Sequence, residues 1–475
     1  MKEFEYIFED VVVKPSNAPS FTINGKEVDI WDDALLKFHS KSIVEYVREK
    51  ILEMEEKGLD LFPEIVGKTV EKNMVKIALL SGSNILFKGK KGYGKTTFSK
   101  SIAKFLPEKI LAIKGCKIHD DPTRPVCFSC KRKVLEDEKV ELTFVPRKWI
   151  RIAGDPMMTT RQLIGGISLQ KIKEGYDLDH PEVFAPGRVL KAHRGIAYFD
   201  ELGSIPSALQ TLLHELFEEK QITTPEGDIV PLKIDCIVIA STNPANYKGV
   251  SDIKEPLLDR MEQIEIGPPE TIEEEIEIAM RNMSLKIGPL IPEWHLRILA
   301  GAVRCMRSKE CRYASRIEFE PSCRATIKLF DHLRASAMLN KRKVVMFADY
   351  GKSYENVKLA LKSRFEVDYE EEVDKDSIIE GVVEDSIDKI GSEIYSSIPR
   401  NTFTEIMDEL AKAEIVNVYE DDDFGSSLYS FASSMCKHPE EVASAVEMTL
   451  EAIARCTGLL EKIGVGVYVC AGIKG

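Results

Sequence analysis

Gly89, Gly94, Lys95 and Thr96 stand at the spacing G-x-x-x-x-G-K-[ST] within FKGKKGYGKTT, residues 87–97. A loop of this pattern turns its backbone amides around phosphate oxygens, and glycine alone lets the main chain come that close. Lys95 adds a positive point charge. Thr96, opening the next helix, can offer its hydroxyl to Mg²⁺ while the helix N-terminus faces the anion. Gly89, Lys90, Lys91, Gly92, Tyr93, Gly94, Lys95, Thr96 and Thr97 are therefore the candidate nucleotide-binding residues. The competing reading is an ordinary surface turn. Against it stand the apolar run Asn84-Ile85-Leu86 before the loop and the helical pattern TTFSKSIAKFL after it, the context the motif requires.

Hydrolysis needs carboxylates at a strand end, and GIAYFDELGSIP supplies them. Ile196 to Phe199 read as an apolar strand, with Asp200 and Glu201 emerging at its C-terminal edge, where open α/β sheets place their ligands. Asp200 is the candidate partner of Mg²⁺ and Glu201 the candidate group that polarises the attacking water. An ordinary acidic strand end is the alternative, weakened by the phosphate loop upstream. The run DCIVIASTNP ends in Ser241, Thr242 and Asn243, and Asn243 is placed to orient water or the γ-phosphate unless Asn-Pro merely opens a turn. In EPLLDRMEQIEI, Arg260 is either a surface charge or an arginine that reaches a neighbouring subunit's γ-phosphate.

A third constellation lies in GCKIHDDPTRPVCFSCKRK. Cys116-x-x-His119 and Cys127-x-x-Cys130 offer four soft ligands in two pairs, a set that suits one tetrahedral structural Zn²⁺. Three buried thiols and a surface histidine are the alternative. Cys305 and Cys311 have no second pair nearby and read as reduced core residues.

The elements that must position these groups follow from the apolar pattern. NILFKG, ILAIKG, GIAYFDE, DCIVIAST and EQIEIG read as five strands of a mainly parallel sheet with helices on both faces. Residues 1–61 read as an N-terminal helical extension, with Ile43, Val47 and Ile51 at helical spacing. Residues 62–268 form the α/β core, carrying the cysteine-rich insert at about 113–133. Residues 269–350 lose the strands and read as a helical lid. Residues 351–475 read as mainly helical, with a short strand, VGVYVC, near the end. A chain of 475 residues, 44% hydrophobic, can bury more than one core. No segment approaches the length of a membrane span, and ten scattered cysteines fit reduced thiols, so the expected location is the cytoplasm. A net charge of −13 works against wholesale association with nucleic acid.

Phosphate loop, Asp200-Glu201, Asn243, Arg260 and the later Arg324 in EPSCRAT, taken at these intervals, resemble an AAA+ ATPase. FAPGRVLKAHRGIAYFDE and DPMMTTRQLIGGISLQKIKEG are similar to the helix-2 insert of the magnesium chelatase ATPase I subunit, placing such an insert at about 155–190, and TNPANYKGVSDIKEPLLDR leans toward MoxR-type ATPases. The resemblance covers about residues 62–350. It implies an α/β AAA+ P-loop NTPase core with a parallel sheet and a helical lid, followed by a helical C-terminal region. It also implies ATP and Mg²⁺ as cofactors, a homo-oligomeric ring of hexameric type, and a partner protein with a von Willebrand A domain. Carried over by position, Arg260 is the finger acting in trans and Arg324 the sensor 2 arginine on the lid. Two departures stand out: Met261 replaces the phenylalanine that usually follows the finger, and the C-terminal part has no D-x-S-x-S motif.

Two functions from different classes fit these residues: a motor that remodels or matures a partner protein or complex, and a nucleic-acid translocase of the same clade. QITTPEGDIVPLK reads as a hairpin whose tip, Pro225-Glu226-Gly227-Asp228, would repel phosphates, which favours remodelling.

Overall fold

A computed structural model describes residues 11–32, 41–177, 183–222, 232–243, 253–368, 374–413, 415–421 and 424–471. The chain divides into two compact units, residues 1–267 and 268–475.

The first unit starts, among the described residues, with a small hairpin of β1 (Ser20–Ile23) and β2 (Lys26–Glu27). The helix α1 (Ile43–Glu56) follows, held at its start by a capping box in which Ser42 accepts from the Glu45 N–H and Glu45 from the Ser42 N–H. Ile43, Val47 and Ile51 are buried on one face, the spacing of a helix seated on a core. After α2 (Thr69–Ser81) comes β3 (Asn84–Lys88), then α3 (Lys95–Ile102), β4 (Lys109–Ile113), α4 (Phe128–Glu136), β5 (Lys139–Pro146) and β6 (Trp149–Ala153). A short pair, β7 (Gly165–Ile167) and β8 (Phe184–Pro186), precedes β9 (Gly195–Asp200). Beyond the small ladder of β10 (Gln221–Ile222) with β11 (Leu232–Lys233) lie β12 (Cys236–Thr242) and β13 (Met261–Glu265). The acidic tip expected between β10 and β11 falls outside the described residues.

The central sheet has the order β13-β3-β12-β9-β6, and every neighbouring pair is parallel. Its strands are apolar on both sides because both faces are covered. Ile85, Phe87, Ile196, Tyr198, Ile237 and Ile239 enter one core, while Leu86, Ala197, Phe199, Val238 and Ala240 enter the other.

Two expectations are corrected here. ILAIKG does not belong to the central sheet: β4 pairs antiparallel with β5, which pairs in parallel with β1, in a separate sheet of order β2-β1-β5-β4. The fifth central strand is β6, WIRIA. The region before residue 61 likewise contributes strands as well as a helix, because Phe21 closes the small core formed by Leu111, Ile113, Val140 and Leu142.

In the second unit the helices α5 (Ile272–Asn282), α6 (Glu293–Cys305), α7 (Cys323–Leu339), α8 (Lys375–Ser397), α9 (Arg400–Ala413), α10 (Ser426–Met435) and α11 (Val442–Thr457) share one core. That core runs without a break across residue 350, from Ala279 and Val303 through Val382 to Val446 and Tyr468. Ile415–Asn417, Val467–Cys470 and Leu460–Gly464 add a three-stranded antiparallel sheet. Cys305 and Cys311 are joined in a disulfide, with Cα atoms 5.3 Å apart, where two free thiols were expected. The turn after α6 brings the second cysteine back beside the first. Among the described residues no helix is long and apolar enough to cross a membrane.

Candidate functional site

The loop between β3 and α3 bends through three glycines in the left-handed region, Gly89 at φ 152°, Gly92 at 89° and Gly94 at 96°. A side chain on Gly89 would place its Cβ 2.2 Å from the Ile266 carbonyl oxygen, so this position admits glycine only. Phe98 and Ile102 seat α3 in the core, which fixes the loop's exit. Lys95 is buried and folds back: its Nζ donates to the Lys90 carbonyl at 2.9 Å, to that of Gly89, and to Asn243 Oδ1 at 3.0 Å. Lys91 Nζ lies 3.8 Å from a Glu201 oxygen. Tyr93 packs against the adjoining core, and Thr97 is exposed on the first turn of α3.

One hydroxyl gathers the groups expected to hold Mg²⁺. Tyr198 OH lies 2.9 Å from Asp200 Oδ1, 3.1 Å from Thr96 Oγ1 and 3.1 Å from Ser241 Oγ. Ser241 Oγ donates to the same Asp200 oxygen at 2.9 Å and accepts the Glu201 N–H at 3.2 Å. Arg151 on β6 donates from Nε to Asp200 Oδ2 at 2.9 Å. Burial pushes the Asp200 carboxyl up, but hydrogen bonds from Arg151, Ser241 and Tyr198 outweigh it and the net shift is downward. Burial pushes the Tyr198 hydroxyl up to about 12, so it remains a donor at neutral pH. Trp149 stacks on the Tyr198 ring at 5.3 Å and donates its indole N–H to Ser99 on α3 at 2.8 Å, tying β6 and β9 to the phosphate-loop helix.

Glu201 adopts a left-handed conformation, φ 61° and ψ 57°, rare for a residue with a side chain. Gly154 makes room for it, since a Cβ there would lie 2.0 Å from the Glu201 carbonyl oxygen. Asn243 Nδ2 donates to Glu201 Oε1 at 3.5 Å, a long contact. A continuous path of polar contacts thus joins Lys95, Asn243 and Glu201, beside the second set of Thr96, Tyr198 and Asp200. Arg151 and Tyr198 went unnoticed in the sequence: one sits in a strand that was not recognised, the other reads as part of an apolar run. Arg260 stands apart, with Nε 3.0 Å from Glu218 Oε2 and NH1 2.6 Å from the Pro256 carbonyl. Arg324, in the second unit, is exposed on the first turn of α7.

The cysteine-rich insert brings Cys116, Asp120, Cys127 and Cys130 together, with one potential ligand atom from each within 4.8 Å of the others. Cys127 caps α4 and Cys130 lies on its first turn. Cys116 Sγ is 3.8 Å from Cys127 Sγ and accepts the Asp120 N–H at 3.4 Å. Hydrogen bonds from Cys127 and Cys130 hold the Cys116 thiol low and leave those two donors high. His119, expected as the fourth ligand, is not in this group. At φ 59° its backbone turns, its carbonyl faces Arg194, and the next side chain, Asp120, points among the thiols.

Residues 131–261 match the family model described as AAA domain (dynein-related subfamily). The Magnesium-chelatase 38 kDa subunit of Acidiphilium rubrum is 26% identical over 231 residues, 46% of this chain and 62% of the relative. The Magnesium-chelatase subunit ChlI homolog of Methanocaldococcus jannaschii is 26% identical over 229 residues, 46% of this chain and 58% of the relative. The chain thus spans about three fifths of the length of these relatives. Among solved structures, a putative ATPase from Cytophaga hutchinsonii is 22% identical over 72% of this chain and 96% of that one, with a TM-score of 0.32. A cryo-EM-based model of the complex between subunits BchI and BchD of magnesium chelatase is 20% identical over 65% and 96%, with a TM-score of 0.35. Scores this low carry no argument of their own.

Proposed function

We propose that this chain, which carries an AAA-type P-loop domain in its first unit, is an ATP-hydrolysing ring motor that remodels or matures a partner protein or complex. The observation that supports the reading most is the path of contacts joining Lys95, Asn243 and Glu201 beside Thr96, Tyr198 and Asp200. The left-handed glycine bend fits a phosphate chain, and Thr96 and Asp200 would hold Mg²⁺, which when bound neutralises charge on the phosphates. Lys95 binds the phosphates, Asn243 orients Glu201, and Glu201 draws a proton toward itself from the attacking water. Arg151, Tyr198 and Ser241 keep the Asp200 carboxylate ionised and aimed.

The rest of the proposal rests on resemblance. Arg260 acts on the neighbour's nucleotide in a hexameric ring, Arg324 reads the nucleotide from the lid, and the partner carries a von Willebrand A domain. Metal insertion is the form of remodelling that the relatives' names point to. The location is cytoplasmic, and the cysteine-rich insert holds one structural zinc ion. The net charge of −13 supports a protein partner over a nucleic acid.

The test separates binding from turnover. Lys95→Ala loses ATP binding, whereas Glu201→Gln binds ATP and hydrolyses it very slowly, because the first change removes ground-state charge and the second removes water activation. Equal loss of binding in both would overturn the division of roles.

A further inference from the structure

The Asp200 carboxylate has four acceptor directions, two on each oxygen, and protein donors fill them all. Oδ1 accepts the Tyr198 and Ser241 hydroxyls, each at 2.9 Å, while Oδ2 accepts Nε of Arg151 at 2.9 Å and also its NH2. The protons can be counted too. With its one hydrogen on Asp200, Tyr198 meets Thr96 Oγ1, 3.1 Å away, only as an acceptor, so Thr96 donates there and keeps its own lone pairs for a cation. Ser241 likewise gives its hydrogen to Asp200 and accepts the Glu201 N–H. Thr96 is thus ready for Mg²⁺ in this arrangement, and Asp200 is not. A metal ion, or a water bound to one, needs a lone pair that one of these donors must give up.

The donors differ in how easily they yield. Tyr198 and Ser241 are fully buried, and the Trp149 ring stacked on Tyr198 holds it in place. Arg151 stands on β6, the edge strand of the central sheet, and its side chain is 56% exposed, against 14% for Asp200. Water can take over its N–H groups, and a guanidinium that shared one oxygen with a divalent cation would be repelled by it.

We propose that Arg151 is a latch on the metal site: it holds Asp200 Oδ2 as a stand-in cation and must swing off that oxygen when Mg²⁺ binds with nucleotide, so that it competes with the metal and sets the concentration at which the site loads. The inference rests on the ATPase reading and deepens it. Arg151 keeps the carboxylate ionised until the metal takes over its charge, whereas Tyr198 and Ser241 aim it throughout.

The test uses the full chain and mant-ADP, a fluorescent nucleotide, titrated with Mg²⁺. Arg151→Met should lower the half-saturating Mg²⁺ concentration about fivefold, the upper end for a part-exposed ion pair, because the contact is bidentate. In EDTA the two proteins should bind mant-ADP nearly equally, since the latch acts on the metal and not on the phosphates. Arg151→Gln, which keeps a donor without the charge, should shift the same way by less. Tyr198→Phe should shift the opposite way, because the lone pair it frees faces a buried ring and Thr96 loses its acceptor. A half-saturating concentration that is unchanged or higher in Arg151→Met and Arg151→Gln overturns the latch, since Arg151 would then aim Asp200 with the metal in place. A change of the same size in EDTA overturns it as well, by placing Arg151 on the nucleotide. Tightening in Tyr198→Phe as large as in Arg151→Met overturns the choice of the yielding donor. A wild type whose mant-ADP binding ignores Mg²⁺ overturns the ATPase reading itself.

Discussion

Glu447→Gln should stabilise the second unit above neutral pH and do nothing below pH 5. Glu447 on α11 is fully buried and accepts the Tyr419 hydroxyl at 2.7 Å and the Phe347 N–H at 2.9 Å, with the Lys462 charge acting on it from farther off. Burial pushes its carboxyl from 4.5 up to about 7, against the pull of those two hydrogen bonds. The folded chain therefore holds a proton that the unfolded chain gives up earlier. Stability falls as pH rises through the window from 4.5 to about 7, and above it the full cost is present. A shift of that size corresponds to about 3 kcal/mol. Glutamine removes the charge and keeps both contacts, its oxygen facing the Phe347 N–H and its amide nitrogen facing the Tyr419 oxygen. The assay is urea unfolding at pH 5 to 8 followed by tryptophan fluorescence. Trp294 is buried in this unit and donates its indole N–H to Ser444, one turn before Glu447, at 3.1 Å, so its phase reports on this core. That phase should weaken by about 3 kcal/mol from pH 5 to pH 8 in the wild type and much less in the variant. Parallel pH profiles for the two proteins would refute the argument.

Two more predictions concern turnover. Gly154→Ala should bind ATP nearly normally and lose most hydrolysis, because the added Cβ would meet the Glu201 carbonyl at 2.0 Å and displace that residue; unchanged turnover, measured as phosphate release, would mean Glu201 is not held where hydrolysis needs it. Arg260→Ala subunits mixed with Glu201→Gln subunits should regain ATPase activity where an intact arginine meets an intact Glu201, since an arginine acting in trans contributes on the order of 10³ or more in rate. Mixed rings that stay inactive at every ratio would place Arg260 outside the reaction or make it act on its own subunit's nucleotide.

What the sequence disclosed varied with the kind of constraint behind each residue. The phosphate loop was legible because its chemistry demands glycine at fixed places, and Gly89 has no alternative against Ile266. The central strands were legible where both faces are buried, as in β3, β9 and β12. That signal could not say which sheet a strand joins: β4 is as apolar as β3, with Leu111 and Ile113 on one side and Ile110 and Ala112 on the other, yet it pairs elsewhere. The strand β6 was hidden by Arg151, whose charge breaks the apolar run because it serves Asp200 and not a core. Tyr198 was hidden for the opposite reason, since its ring belongs to the core while its hydroxyl belongs to the site. In the cysteine-rich loop, pair spacing located the thiols but could not tell that the chain turns at His119, the residue at positive φ, and so brings its neighbour Asp120 among them.

The parallel pairing of β1 with β5 couples residues that leave the ribosome far apart in time. Ser20 faces Lys139 and Ile23 faces Leu142, so β1 has no partner in β5 until nearly 120 further residues have been added. At ~5–20 residues per second that wait is on the order of ten seconds, long compared with hairpin closure. β2 covers one edge of β1 meanwhile, and its exposed Lys26 and Glu27 discourage a foreign strand from pairing there. All four strands of this sheet lie before residue 147, whereas β9, β12 and β13 begin at residue 195 or later. Vectorial synthesis can thus finish this sheet and the cysteine-rich connection between β4 and β5 first and present them as a ready-made seat for His193 and Arg194. Refolding the whole chain from denaturant offers every strand at once and forfeits that order.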